Sequence, residues 1–118
     1  MALLTVPAPG AAAGPQDGRD VVSMSGECSA GSTWTLAARS RALRVQVGAR
    51  VSSPGTGQQW RLRLAHNGRP IARGRRLMRP NGSITIRRAT PNEPGIDQFA
   101  ITARNRTTGE ICRGVLAY

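Results

Sequence analysis

The side chains best suited to chemistry in this 118-residue chain are one histidine, two cysteines, six carboxylates and a large excess of arginine. His66 immediately precedes Asn67-Gly68, so it is expected at an exposed loop tip. A catalytic imidazole needs an orienting carboxylate and a nucleophile within hydrogen-bond reach. Ser83 and Asp97 are present, but no spacing brings them to His66, which therefore reads as an ordinary turn residue. The acids Asp17, Asp20, Glu27, Glu93, Asp97 and Glu110 form no evident acid–base pair. Glu93 and Asp97 share a loop, yet two carboxylates fall short of the ligand count and fixed loop pattern of a calcium site. The expectation is that Asp97 bonds backbone amides where a strand begins and that Glu93 is solvated. Zinc would need three or four Cys/His ligands in close spacing, and no phosphate-cradling or dinucleotide-binding loop is present. No enzyme, metal or cofactor is expected.

Cys28 and Cys112 suggest a staple instead. They lie near the two ends of the folded region in matching contexts, GECSAG and GEICRG. A bridge would close a loop of 112 − 28 = 84 residues, for which chain entropy gives roughly 4 kcal/mol. Such a bond persists only in oxidising surroundings; the alternative is two separate buried thiols. Residues 1–19, MALLTVPAPGAAAGPQDGR, add a second hint of export. They read as a disordered tail or as the remnant of a secretion signal. Leu3, Leu4 and Val6 would end the apolar stretch, Ala11-Ala12-Ala13 would suit cleavage, and the basic beginning of such a signal is missing. The expected location is extracellular or the cell envelope, with the cytoplasm as the alternative. No apolar run approaches the ~20 residues that cross a bilayer.

The elements that position these residues have a period of two, the strand signature. Thr33–Ala37, Leu43–Val47, Trp60–Leu64, Ser83–Arg87 and Gln98–Arg104 all alternate, and no window carries a helical stripe. Asn67-Gly68 is a strong hairpin signal, because a type I′ turn needs positive φ at both central positions. Pro54–Gly57, Pro80–Ser83, Pro91–Gly95 and Thr108-Gly109 punctuate the rest. Turns about every ten residues indicate an all-β, immunoglobulin-like β-sandwich of seven or eight antiparallel strands, a single domain over 20–118. In that scheme Leu43–Val51 is strand B, Trp60 the buried tryptophan of strand C, and Phe99 the corner aromatic of strand F.

The stretch Cys28–Tyr118 resembles an immunoglobulin-like or fibronectin-III-like domain. It is also similar to small uncharacterised secreted proteins of high-GC actinobacteria. The likeness rests on Cys28, Trp34-x-Leu36, Trp60, Asn67-Gly68, Gly82-Ser83, Gly95-x-Asp97, Ala103-x-Asn105 and Thr108-Gly109-Glu110-x-Cys112. It implies fold and export but no activity. A Cys28–Cys112 bridge departs from antibody domains, whose bridge joins strands B and F.

What remains is charge. The chain has 17 basic residues, all arginine, against 6 acids, a net charge of +11. Arginine without lysine is what GC-rich coding supplies, but a field of that size attracts polyanions whatever its origin. Alternation sends Arg61 and Arg63 away from Trp60, Leu62 and Leu64, and turns Arg104 and Arg113 outward on their own strands. A simple two-residue turn at Asn67-Gly68 would pair Arg63 with Ala72 and Arg61 with Gly74. That register adds Arg76 to the face and turns Arg73 and Arg75 toward the core, unless Gly74 bulges or the strand runs past the core edge and they reach water. The candidate anion- or partner-binding set is thus Arg61, Arg63, Arg76, Arg104 and Arg113, with guanidinium forks suited to oxyanions. The expected function is a non-catalytic secreted or envelope binding module for an anionic polymer or an acidic protein. One alternative is a basic nucleic-acid-binding protein, disfavoured by the shortage of aromatics for stacking and the lack of a recognition helix. Another is an enzyme inhibitor presenting a loop such as 54–57 or 91–95.

Overall fold

A computed structural model describes residues 21–118; the segment 1–19 and Asp20 lie outside the described residues. The described chain forms eight antiparallel strands: β1 (Val22–Glu27), β2 (Thr33–Arg41), β3 (Arg44–Ser52), β4 (Gln59–His66), β5 (Arg69–Leu77), β6 (Ser83–Pro91), β7 (Gln98–Asn105) and β8 (Ile111–Ala117). They make two four-stranded sheets, ordered β1-β2-β3-β6 and β5-β4-β7-β8. Among the described residues, no helix is long and apolar enough to cross a membrane.

Consecutive strands β3 and β4 belong to different sheets, and so do β6 and β7; yet β3 pairs with β6 and β4 with β7. That crossed pairing is the B–E and C–F relation of an immunoglobulin-like sandwich, with β8 in the place of strand G. Strand period two supplies the core. Trp34, Leu36 and Ala38 from β2 and Val45, Val47, Ala49 and Val51 from β3 point inward. They meet Trp60, Leu62 and Leu64 from β4 and Phe99, Ile101 and Ala103 from β7, all buried.

The hairpin β4–β5 turns as its sequence predicts, with φ of 49° at Asn67 and 85° at Gly68. Its register is not the simple one. Leu64 faces Ala72 while Ala65 faces Pro70, so Ile71 is left as an extra residue on β5. The bulge lies at Ile71 rather than at Gly74. Beyond it every side chain on β5 takes the face opposite to that expected.

One open side of the sandwich, between β8 and the β1–β2 edge, is closed by Trp34 and a disulfide. The Trp34 indole lies between two glycines. A Cβ added to Gly26 would come within 2.7 Å of the ring, and one added to Gly114 would collide with it outright. Glycine is needed at both positions so that two backbones can approach one indole. Next to this wedge Cys28, directly after β1, is bonded to Cys112 on β8, across a sequence separation of 84. The bridge therefore ties one sheet to the other at their edges. Gly114→Ala should overpack the wedge and lower the unfolding free energy by about 1–3 kcal/mol. Denaturant melts of the oxidised protein check this, and an unchanged midpoint would show that the indole is free to move.

Candidate functional site

Two polar constellations emerge: an arginine lattice on the outer face of the β5-β4-β7-β8 sheet, and a buried cluster at one end of the sandwich. The shifted register decides the first. Arg61 faces Arg75 on β5 and Arg104 on β7; Arg63 faces Arg73 and Thr102, and Thr102 faces Arg113 on β8. Two rows therefore cross the sheet, Arg75–Arg61–Arg104 and Arg73–Arg63–Thr102–Arg113. All six arginines are exposed. Among the described residues no carboxylate pairs with any of them; the ion pairs there are His66–Asp97 and Arg69–Glu93.

Of the arginines expected on this face, Arg61, Arg63, Arg104 and Arg113 are there. Arg76 is not. It sits opposite Trp60, on the inward parity of β5, and reaches water because β5 is an edge strand. Its guanidinium leans over Gly74 and donates from Nη1 to the Arg75 carbonyl at 3.0 Å. Arg73 and Arg75 take its place on the outer face.

The opposite sheet also exposes arginines, but in a different pattern. Its outward rows read Thr35–Arg50–Thr85, Ala37–Gly48–Arg87 and Arg39–Gln46–Ala89, and only Arg41 and Arg44 oppose each other directly. A concavity of about 520 Å³ lies on that sheet, lined by residues that include Ala37, Gly48, Ala89, Arg39 and Arg87. It is shallow and gathers no nucleophile, base and carboxylate together.

The second constellation overturns the exposed-turn reading of His66, which is buried with 1% of its surface accessible. Its place follows from alternation: Trp60, Leu62, Leu64 and His66 all point inward from β4. The ring stacks on Phe99 with centroids 4.6 Å apart. Nε2 lies 2.7 Å from Asp97 Oδ1 and Nδ1 lies 3.0 Å from Thr90 Oγ1. An ionised Asp97 accepts from Nε2–H, so Nδ1 of a neutral ring accepts the Thr90 hydroxyl proton. Hydroxyl, imidazole and carboxylate stand in the order of a hydrolytic triad, but Thr90 and Asp97 are buried as well. Catalysis needs a nucleophile that substrate can reach. What the array does is join β4, β6 and the loop before β7.

The same end is tied down from outside. The Asn67 amide nitrogen donates to the Gln98 carbonyl at 2.8 Å, and the Gln98 amide donates back to Asn67 Oδ1 at 2.8 Å. Asn67 Nδ2 donates to Glu93 Oε1 at 2.9 Å, and Arg69 pairs with the other oxygen of Glu93. Glu93 is thus engaged rather than free in solvent. The Asn67 hydrogen bond, with help from the Arg69 charge, outweighs desolvation and holds its carboxyl below the ordinary range. Asp97 accepts from the Glu93 amide only at a long 3.4 Å, while its main chain pairs with Tyr118 in both directions. Both acids being occupied, they make no cation site, and among the described residues no group of three or more His, Cys, Asp or Glu could hold a metal ion.

At the opposite end Glu110 is buried and accepts three hydrogen bonds. They come from the Ala30 amide at 2.9 Å, the Ser32 amide at 2.8 Å and Ser32 Oγ at 2.7 Å. Burial alone would raise its carboxyl, but the bonds from Ser32 and Ala30 prevail and hold it below its ordinary value of 4.5. The carboxylate locks the β1–β2 turn beside the disulfide.

Fold and lattice together define a disulfide-stapled β-sandwich with rows of facing arginines on one sheet face. In comparisons with known proteins, no family model, curated protein or solved structure matches the chain.

Two outcomes follow from the buried groups. Glu110→Gln should lower the unfolding free energy near neutral pH by about 1–3 kcal/mol. A depressed carboxylate stabilises above its unfolded pKa and loses that contribution as pH falls through the folded one. The deficit against the parent, followed in denaturant melts, should therefore shrink below about pH 4.5; a constant deficit would contradict the assignment. His66→Phe keeps a ring on Phe99 but strands Asp97 and Thr90, and should also cost about 1–3 kcal/mol or more. A variant as stable as the parent would show that the polar array holds nothing together.

Proposed function

We propose that this protein is a non-catalytic binding module that takes anionic polymers on the outer face of the β5-β4-β7-β8 sheet, in the cell envelope or outside the cell. The observation that carries the reading is the lattice itself: six exposed arginines in two cross-strand rows, with no acid from the described residues among them. Like charges directly opposite on neighbouring strands destabilise a sheet. A face that keeps them is suited to a partner that brings the counter-charge. The Cys28–Cys112 bond supports oxidising surroundings.

Polymers fit this face better than a compact ligand, because its charges are spread over four strands. An acidic protein is the second partner class, and nucleic acid the third. Net charge favours nucleic acid too, since phosphate contacts dominate its nonspecific binding. Base stacking would need exposed aromatics. Here Trp34, Trp60 and Phe99 are buried, and Tyr118 is partly buried with its hydroxyl donating to Ser40.

Binding to purified envelope anions should fall steeply with salt. Replacing Arg61, Arg63 and Arg75 with Gln should reduce the slope of log affinity against log salt by about one for each phosphate contact removed. Retention that is indifferent to ionic strength, or unchanged in the triple variant, would remove the electrostatic premise.

A further inference from the structure

The spacing of the lattice narrows the ligand; this step rests on the polyanion reading above and specifies the chemistry of the polymer. Arg61 faces Arg75 and Arg63 faces Arg73, so β4 and β5 carry two facing pairs side by side. Backbones within a pair are about 4.8 Å apart, and the two pairs are separated by two residues along the strands, about 6.7 Å. An oxyanion between the two guanidiniums of a pair turns their repulsion into two charge-assisted forks. The arrangement offers two such seats, with Arg104 extending one row and Arg113 the other. Arginine side chains are long enough to adjust each seat, but the strand backbone sets the distance between them.

A ligand that fills both seats must carry successive charges about 7 Å apart. In an extended polypeptide three backbone bonds cover about 3.5 Å, so six bonds cover about 7 Å. A phosphodiester chain with three carbons between its ester oxygens, P–O–C–C–C–O–P, has that repeat. Condensed phosphate, with two bonds between phosphorus atoms, falls well short of it. A nucleic acid strand shares the six-bond backbone, but its bases meet no exposed aromatic on this face, so they add bulk without stacking. We infer that the face is a seat for a polyol-phosphate chain running along β4 and β5, with neighbouring phosphates held by the Arg61/Arg75 and Arg63/Arg73 pairs.

The test compares three probes with equal numbers of phosphates at one ionic strength: a glycerol-phosphate oligomer, a linear polyphosphate and an oligothymidylate, each titrated into the oxidised protein. Polyphosphate has the highest charge density and would win on charge alone. The expected result reverses that order, the glycerol-phosphate oligomer binding at least about threefold more tightly than polyphosphate and no more weakly than the oligothymidylate, a margin that a few exposed ion pairs can supply. Arg61→Gln with Arg75→Gln, which empties one seat, should abolish the preference. Arg39→Gln with Arg50→Gln, on the other sheet, should preserve it. Equal affinities, or polyphosphate in the lead, would overturn the spacing argument while leaving the polyanion reading intact. Tighter binding of the oligothymidylate would assign the face to nucleic acid instead. Failure of all three to bind would sink both the inference and the reading beneath it.

Discussion

Successive side chains of a strand point to opposite faces of its sheet, so a single inserted residue reverses every assignment beyond it. In this protein that residue is Ile71. Without it, Arg73 and Arg75 would be driven toward the core of β5 and the outer face would hold a looser scatter of charges. With it, β4 and β5 set arginine directly against arginine in two neighbouring positions. The bulge therefore does two things at once. It turns Arg73 and Arg75 to the outer face, leaving the small residues Ala72 and Gly74 on the inward parity of β5, and it concentrates charge into two rows.

A face that repels itself has to be carried by a scaffold that does not yield. The core is small and poor in aromatics, and its reinforcement sits at the two ends of the sandwich. At one end the Trp34 wedge, the Cys28–Cys112 bond and the Glu110 carboxylate close the β1–β8 side and fix the β1–β2 turn. At the other, His66 links Thr90 and Asp97 beneath the Asn67-Gly68 turn, while Asn67 fastens that turn to the start of β7. The arginine rows lie on strands that run between these two anchored ends. On the proposed reading, a polyanion would meet strands already fixed in register, so that binding would have to order only the arginine side chains.

Much of this was legible in the sequence, and where it was not the cause is specific. Arg61, Arg63, Arg104 and Arg113 could be placed outward because each lies on a strand whose own apolar alternation decides its face. Arg73, Arg75 and Arg76 depend instead on the register between two strands, which the bulge near the turn alters without any local mark stronger than Pro70. At His66 the Asn67-Gly68 turn and strand parity point opposite ways, and parity prevails: the inward series Trp60, Leu62, Leu64 runs straight on to it. The same parity points to its partners: Asp97 lies two residues before Phe99, and Thr90 continues the inward series Ile84, Ile86. Glu110 and Ser32 meet across 78 residues of chain. Nothing in either local sequence announces that contact, since it exists only once the strands have crossed.

The most direct measurement of the central claim is an NMR titration of the arginine side-chain Nε–H resonances of the oxidised protein with an anionic polymer. The account predicts that Arg61, Arg63, Arg73, Arg75, Arg104 and Arg113 shift together and saturate together, while Arg39, Arg50 and Arg87 on the opposite sheet move little. Shifts spread evenly over both sheets, or centred on the opposite one, would contradict it.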